Sequence, residues 1–278
     1  MELHDHALAS DLEMMRRQAA ERRQVLRWLL AGAATLPLIG CGGGSDAGAT
    51  AASSGAVTLP ATGACMVIPE ETGGPYPADG TNTNGGSIVN VLKQSGVVRG
   101  DIRASFNGAT GVAAGVPLTI QLQLLNASGG CASLAGYAVY LWHCDRDGLY
   151  SLYSGGLTAQ NYLRGVQETD AAGKLAFTTI FPGCYAGRMP HVHFEVYPSL
   201  AKAASATNRI KTSQFTFPLA TLNEAYTASG YTASVRNLAQ ISHATDNVFS
   251  DGTGLQMATV TGNATDGYVA TLVVVVNG

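Results

Sequence analysis

Val116-Pro-Leu-Thr-Ile-Gln-Leu-Gln-Leu-Leu125 alternates apolar and polar side chains over most of its length. A strand points successive side chains to opposite faces, so the pattern predicts a strand buried on one side. Asn126 to Gly130 reads as a turn, and Tyr137-Ala-Val-Tyr-Leu-Trp-His143 as a second strand. Further along, Cys144 to Gly148 is a loop, and Gln167 to Gly173 is a turn leading into a strand at Leu175 to Ile180. Strands follow at Lys211 to Phe217 and at Tyr268 to Val276, the last after an Asp266-Gly267 turn. Helical periodicity is nearly absent, and only Leu222 to Gln240 admits a helix or irregular segment. Many short strands between turns predict an all-β domain, an antiparallel β-sandwich with long loops and little helix.

The N-terminal part reads differently. Arg22-Arg23-Gln-Val-Leu-Arg27 precedes a short apolar run, Trp28 to Ile39, and then Gly40-Cys41. A basic region before an apolar run too short to span a bilayer predicts an export signal over residues 1–40. The arginine pair resembles a twin-arginine signal. Leu38-Ile-Gly-Cys41 resembles a bacterial lipoprotein cleavage box, with Cys41 the lipidated residue. Residues 41–63 are Gly, Ala, Ser and Thr with little else, which predicts a flexible tether. These features lead to the expectation of an exported cell-envelope or periplasmic lipoprotein, held to a membrane by its N-terminal lipid. The remainder, 64–278, is about 210 residues and long enough for one substantial core.

Residues 1–40 carry five arginines and five acids, so the formal charge of −3 is the same without them. No basic stripe or aromatic-basic interleaving remains, which argues against a nucleic-acid partner.

The chemistry concentrates in Pro182-Gly-Cys-Tyr-Ala-Gly-Arg-Met-Pro-His-Val-His-Phe-Glu-Val196. On a strand, His191 and His193 share one face, while Val192, Phe194 and Val196 face a core. Two imidazoles so placed can bind one metal ion, and Tyr185 or Tyr150 could add phenolates. Phenolate is a hard anionic donor suited to Fe³⁺. A tyrosine titrates near 10, so only a strong Lewis acid keeps two of them ionised. Against this stands the plain reading of each tyrosine as a core or rim residue. Cys65, Cys131, Cys144 and Cys184 form no CxxC pair, which disfavours structural zinc. In an exported domain they suggest two disulfides among three connectivities. Cys144 and Cys184 each lie near a tyrosine of the donor set, which favours Cys144–Cys184 with Cys65–Cys131.

From about Cys65 to Gly278 the chain resembles the intradiol ring-cleavage dioxygenases, the catechol and protocatechuate 3,4-dioxygenase superfamily, and its exported single-domain branch in particular. The stations are Pro69-Glu-Glu-Thr-Gly-Gly-Pro-Tyr76, Arg99-Gly-Asp-Ile-Arg103, Gly115-Val-Pro-Leu-Thr119, Leu141-Trp-His-Cys-Asp145 with Gly148-Leu-Tyr150, Leu163-Arg-Gly-Val-Gln-Glu-Thr-Asp170, Phe177-Thr-Thr-Ile-Phe-Pro-Gly183 and Arg188-Met-Pro-His-Val-His193.

The resemblance implies Fe³⁺ held by Tyr150, Tyr185, His191 and His193. Tyr153 is the alternative first tyrosine. It implies catalytic roles for Arg188, for Tyr185 as the axial tyrosine displaced by substrate, and for Gln214. The implied reaction cleaves a catechol-type ortho-diphenol with O₂ to a cis,cis-muconate-type diacid. The expected pocket walls are Pro75, Tyr76 and the Asp145-Arg146-Asp147 loop, with Arg164 a candidate if it turns inward. With no clear cationic pair for a carboxylated ring, an uncharged catechol is favoured over protocatechuate. The alternative is a lipid-anchored, non-catalytic transthyretin-like or carbohydrate-binding sandwich, which would not require Arg188 beside two histidines and two tyrosines.

Overall fold

The computed structural model describes residues 65–278. The expected signal over 1–40, Cys41 and the tether 41–63 lie outside the described residues.

A five-stranded sheet contains the opening stretch. Strand β3 (Pro117–Asn126) buries Leu118, Ile120, Leu122 and Leu124 and turns Thr119, Gln121 and Gln123 the other way. Each such buried side chain contributes roughly 1.5–3 kcal/mol. The preceding hairpin is β1 (Asp79–Asn84) with β2 (Ser87–Asn90), a separate two-stranded sheet. β4 (Ala132–Ser133) and β7 (Lys174–Ile180) pair antiparallel with β3. On the other side of β3 lies β11 (Gly267–Val276), itself paired with β10 (Thr259–Asn263). β11 runs parallel to β3, with Tyr268 opposite Leu118 and Val276 opposite Asn126. A pair so distant in sequence needs no hairpin, so turn geometry does not force it antiparallel.

The second sheet has the order β6 (Arg164–Glu168), β5 (Ala138–Trp142), β8 (His191–Tyr197), β9 (Lys211–Thr216), all antiparallel. Its inner face, including Val139, Leu141, Val192, Phe194 and Phe215, packs with Leu118, Ile120, Leu122 and Phe177 of the first sheet. This is the sandwich core, and the described residues form an all-β architecture with two short α-helices among them, α1 (Leu219–Ala225) and α2 (Thr232–Leu238). The outer face of the second sheet is also covered. Tyr140, Trp142 and Tyr197 form a second core with Val91, Val97 and Tyr150. That second layer explains why every residue of β5 and of β8 is buried.

Cys65 and Cys131 form a disulfide. The expected Cys144–Cys184 bridge is not formed: both are free, buried thiols. Each sulfur is turned to a different carbonyl, Cys144 Sγ to Gly183 at 3.4 Å and Cys184 Sγ to Arg188 at 3.4 Å.

Candidate metal centre

One row of side chains crosses all four strands of the second sheet. Arg164 stands opposite Trp142, Trp142 opposite His193, and His193 opposite Gln214. His191 lies in the next row, opposite Thr216. The period of two therefore puts both imidazoles on the face covered by the second layer, with Val192 between them in the sandwich core.

The histidine rings are fixed from behind. His191 Nδ1 is 2.6 Å from the Met189 carbonyl, which makes Nδ1 the donor and leaves Nε2 with its lone pair. The His193 ring is stacked on Trp142, with centroids 4.9 Å apart and planes 1° from parallel. The two Nε2 atoms are 3.0 Å apart. Burial, chiefly, holds both imidazoles well below their ordinary range; the Arg188 charge adds to this at His191, and the neighbouring His191 and Arg188 add to it at His193. Both are thus neutral nitrogen donors directed at one point.

The two tyrosines come from adjoining loops. Asp145 shapes the first: its Oδ1 accepts the amides of Asp147 and Leu149, and its carbonyl accepts those of Gly148 and Gly183. The last bond joins the Tyr150 loop to the Tyr185 loop. Gly183 is glycine for a reason, since a Cβ there would meet the Asp145 and Arg146 carbonyl oxygens at 2.6 Å. The helical region pins the same segment. Tyr231 and Tyr226 donate to the carbonyls of Phe181 and Pro182, the Cys184 amide donates to Ser234 Oγ, and Asn237 donates to the Cys184 carbonyl.

Tyr150 is 2% exposed, and its hydroxyl has no hydrogen-bond partner of normal geometry. Burial first, and the Tyr185 phenol second, push it well above the usual tyrosine range. Tyr185 is half-buried, with its hydroxyl 3.3 Å from His191 Nε2. Tyr153 is occupied elsewhere: its hydroxyl donates to Asn82 at 2.6 Å and accepts the Ala78 amide at 2.8 Å.

Tyr76 lies against both Tyr150 and Tyr153, with centroids at 4.8 and 5.1 Å, and Pro75 beside it is half-buried. Arg146 lies where a Gly230 side chain would have to go, and approaches Asp147 at 3.9 Å. Arg164 is buried and donates to Ser151 Oγ, to the Pro77 and Ser151 carbonyls and to the Tyr140 hydroxyl. Its guanidinium is thus committed to holding the second layer.

Arg188 is 3% exposed. Its Nε donates to Asp246 at 3.0 Å and its Nη2 to Gln214 Oε1 at 2.7 Å, while Gln214 donates to the Thr72 carbonyl. Burial opposes the charge of Arg188, but the Tyr185 phenol and the Asp246 carboxylate more than offset it. Sequence reasoning missed Asp246, which is fully buried, and gave Trp142 no role. Trp142 could have been found from its alternation with Tyr140 along β5; nothing local marks Asp246.

The fit to a ferric ion follows from the donors. Among the described residues, no group of three or more His, Cys, Asp or Glu side chains is gathered for a metal. A cation here would therefore depend on the phenols. An orphaned buried phenol, a second phenol within hydrogen-bonding reach of His191, and two neutral imidazoles with facing nitrogens together suit a hard trivalent cation better than Zn²⁺.

Residues 99–196 match the family model Dioxygenase_C, described as Dioxygenase. The matched span holds Tyr150, Tyr185, Arg188, His191 and His193; Gln214 and Asp246 lie beyond it. Residues 99–196 are thus similar to a dioxygenase domain family. An intradiol ring-cleavage dioxygenase from Tetranychus urticae shares its fold, at 22% identity and a TM-score of 0.58, over 77% of this chain and 95% of that one. The dioxygenase domain of a dioxygenase carbohydrate-binding protein fusion from Streptomyces sp. SirexAA-E is 23% identical, over 76% and 99% of the two chains, with a TM-score of 0.47. No curated protein matches.

Proposed function

We propose that this protein is a non-haem Fe³⁺ enzyme that opens the ring of an uncharged catechol-type ortho-diphenol with O₂, giving a cis,cis-muconate-type diacid. The carrying observation is the convergence of the buried Tyr150 hydroxyl, which has no hydrogen bond of normal geometry, with Tyr185 and the two facing Nε2 atoms of His191 and His193. Those four residues would hold the iron. Bound Fe³⁺ would supply a Lewis acid that draws electron density from the diol ring.

The protein's own groups do the rest. The Met189 carbonyl and the Trp142 ring keep the imidazoles aimed, and burial, chiefly, keeps them neutral. Tyr150, packed in the second core, stays in place. Tyr185, less buried and on the loop above, is the phenol able to swing away and take a substrate proton on its Oη. Arg188, held charged, stabilises the negative charge that develops as the ring loses aromaticity. The Tyr76 ring walls the site and helps keep bulk water out. Arg164 is fully engaged with protein oxygens, which supports a ring without a carboxylate.

Oxygen uptake on catechol, 4-methylcatechol, hydroxyquinol and protocatechuate, with ultraviolet spectra of the products, tests the reading. Intradiol products from the uncharged diols are expected; turnover of protocatechuate alone would overturn the substrate assignment. The enzyme is further proposed to be exported and lipid-anchored through Cys41. Cys41→Ser should release it to the soluble fraction or leave it unprocessed, and an intact, unlipidated 1–40 segment in the native host would refute this.

A further inference from the structure

We propose that Asp246 is the positioning residue for Arg188: together with Gln214 it fixes the direction of the guanidinium and ties it to the wall behind His191. The kinetic consequence rests on the ring-cleavage reading; the geometry does not.

Arginine has five N–H donors and a long flexible stem, so a useful direction must be imposed on it. Asp246 Oδ2 takes the Nε edge at 3.0 Å, and Gln214 Oε1 takes Nη2 at 2.7 Å. Two fixed points on different edges of a planar group define its plane, and the remaining donors are left for substrate. Asp246 is itself held. The same Oδ2 accepts the Met189 amide at 2.7 Å, and Oδ1 accepts the amides of Val248 at 2.8 Å and Phe249 at 3.1 Å. Met189 also supplies the carbonyl that orients His191, and the Phe249 ring lies 6.5 Å from the His191 ring. One carboxylate therefore links the arginine, the backbone that sets the His191 tautomer, and the aromatic wall. A buried ion pair gives little net stability. Fixing a cation beside the reacting carbons is a function that the arrangement serves well.

A double-mutant cycle on the iron-loaded enzyme tests this. Asp246→Asn alone should lower kcat about 10- to 100-fold, a range usual for an outer partner of a site. KM should change little, and the visible tyrosine-to-iron band should persist. In an Arg188→Ala background the same change should alter kcat less than about 3-fold, because the residue it acts through is gone. Equal losses in both backgrounds, or full activity of Asp246→Asn, would overturn the proposal. Loss of the band with no coupling to Arg188 would show a purely structural role and would also overturn it. If Asp246→Asn does not fold, Asp246→Glu, which keeps the charge but displaces it, is run through the same cycle. A parent protein that binds no iron and opens no ring would instead defeat the underlying reading, so the two failures are distinct.

Discussion

Gly148 lies directly against Tyr185: a Cβ at Gly148 would stand 3.0 Å from the Tyr185 Cβ and 3.3 Å from its Cα. The backbone there has φ +81°, the left-handed region. The spacing of the two tyrosine loops thus depends on a missing methyl group.

Gly148→Ala should push the loops apart and strain the turn. We expect a loss of about 1–2 kcal/mol from the backbone conformation alone and a weaker visible band per bound iron. Melting curves and absorption spectra read the two effects. Gly155→Ala, at a position with open space and no positive φ, should be silent. Parent-like colour and melting of Gly148→Ala would show that this contact does not set the tyrosine spacing.

The purified enzyme should contain about one iron per chain and absorb broadly in the visible, as ferric phenolates do. Removing the iron should lower the melting temperature, since a ligand at 100 times its Kd stabilises by about 2.7 kcal/mol. Tyr150→Phe should bleach or shift the band. Tyr153→Phe should leave it and cost about 2–3 kcal/mol, for the hydrogen bonds to Asn82 and to the buried Ala78 amide. A band lost in Tyr153→Phe and kept in Tyr150→Phe would exchange their roles.

What could be read from the chain follows how each segment is buried. β3 is covered on one side, so its alternation survives. β5 and β8 are covered on both sides and lose that pattern, yet His191 and His193 still mark one face because they are two apart on a strand whose intervening Val192 enters the core. The β1–β2 hairpin gave no signal. Asp79-Gly-Thr-Asn-Thr-Asn84 has no apolar side chain, and Asn84 and Asn82 tie it to the Tyr153 loop through polar bonds. β6 likewise has one apolar residue, Val166, and owes its conformation to its pairing with β5. Asp246 meets Arg188 and Met189 from 58 and 57 residues away, so no local spacing could reveal that contact.

Glu195 lies two residues beyond His193, and burial first, then Asp79, push its carboxyl up to about 8. An unfolded glutamate titrates near 4.3. The folded protein therefore keeps a proton that the unfolded chain releases, and stability is lost as pH rises from about 4.3 through 8. Glu195→Gln should remove this loss, so its melting temperature relative to the parent should climb over that window. His143, held down to about 4 mainly by burial, contributes the opposite slope between about 4 and 6.5. The difference between variant and parent is therefore the quantity to measure, and parallel curves would contradict the assignment.

The Cys65–Cys131 bridge spans 66 residues, and cross-linking a loop of that length stabilises by about 4 kcal/mol on chain-entropy grounds. Cys131→Ser should lower the melting temperature accordingly. Burial pushes the Cys144 thiol well up and that of Cys184 up to about 12. Both should resist alkylation in the native protein and label fully once it is unfolded without reductant. A Cys144–Cys184 linked peptide in a non-reducing map would contradict the free thiols.

The parallel pairing of β3 with β11 has a consequence for biosynthesis. Their partners lie about 150 residues apart, and β11 separates β3 from β10. While the chain is still being translated, β3 can find β7 but not the neighbour on its other edge. An open row of its backbone amides and carbonyls stays unpaired until the β11 segment leaves the ribosome, and closure waits on a long-range search that slows folding. The nascent domain should therefore remain sensitive to protease, and available to chaperones, until β11 has emerged.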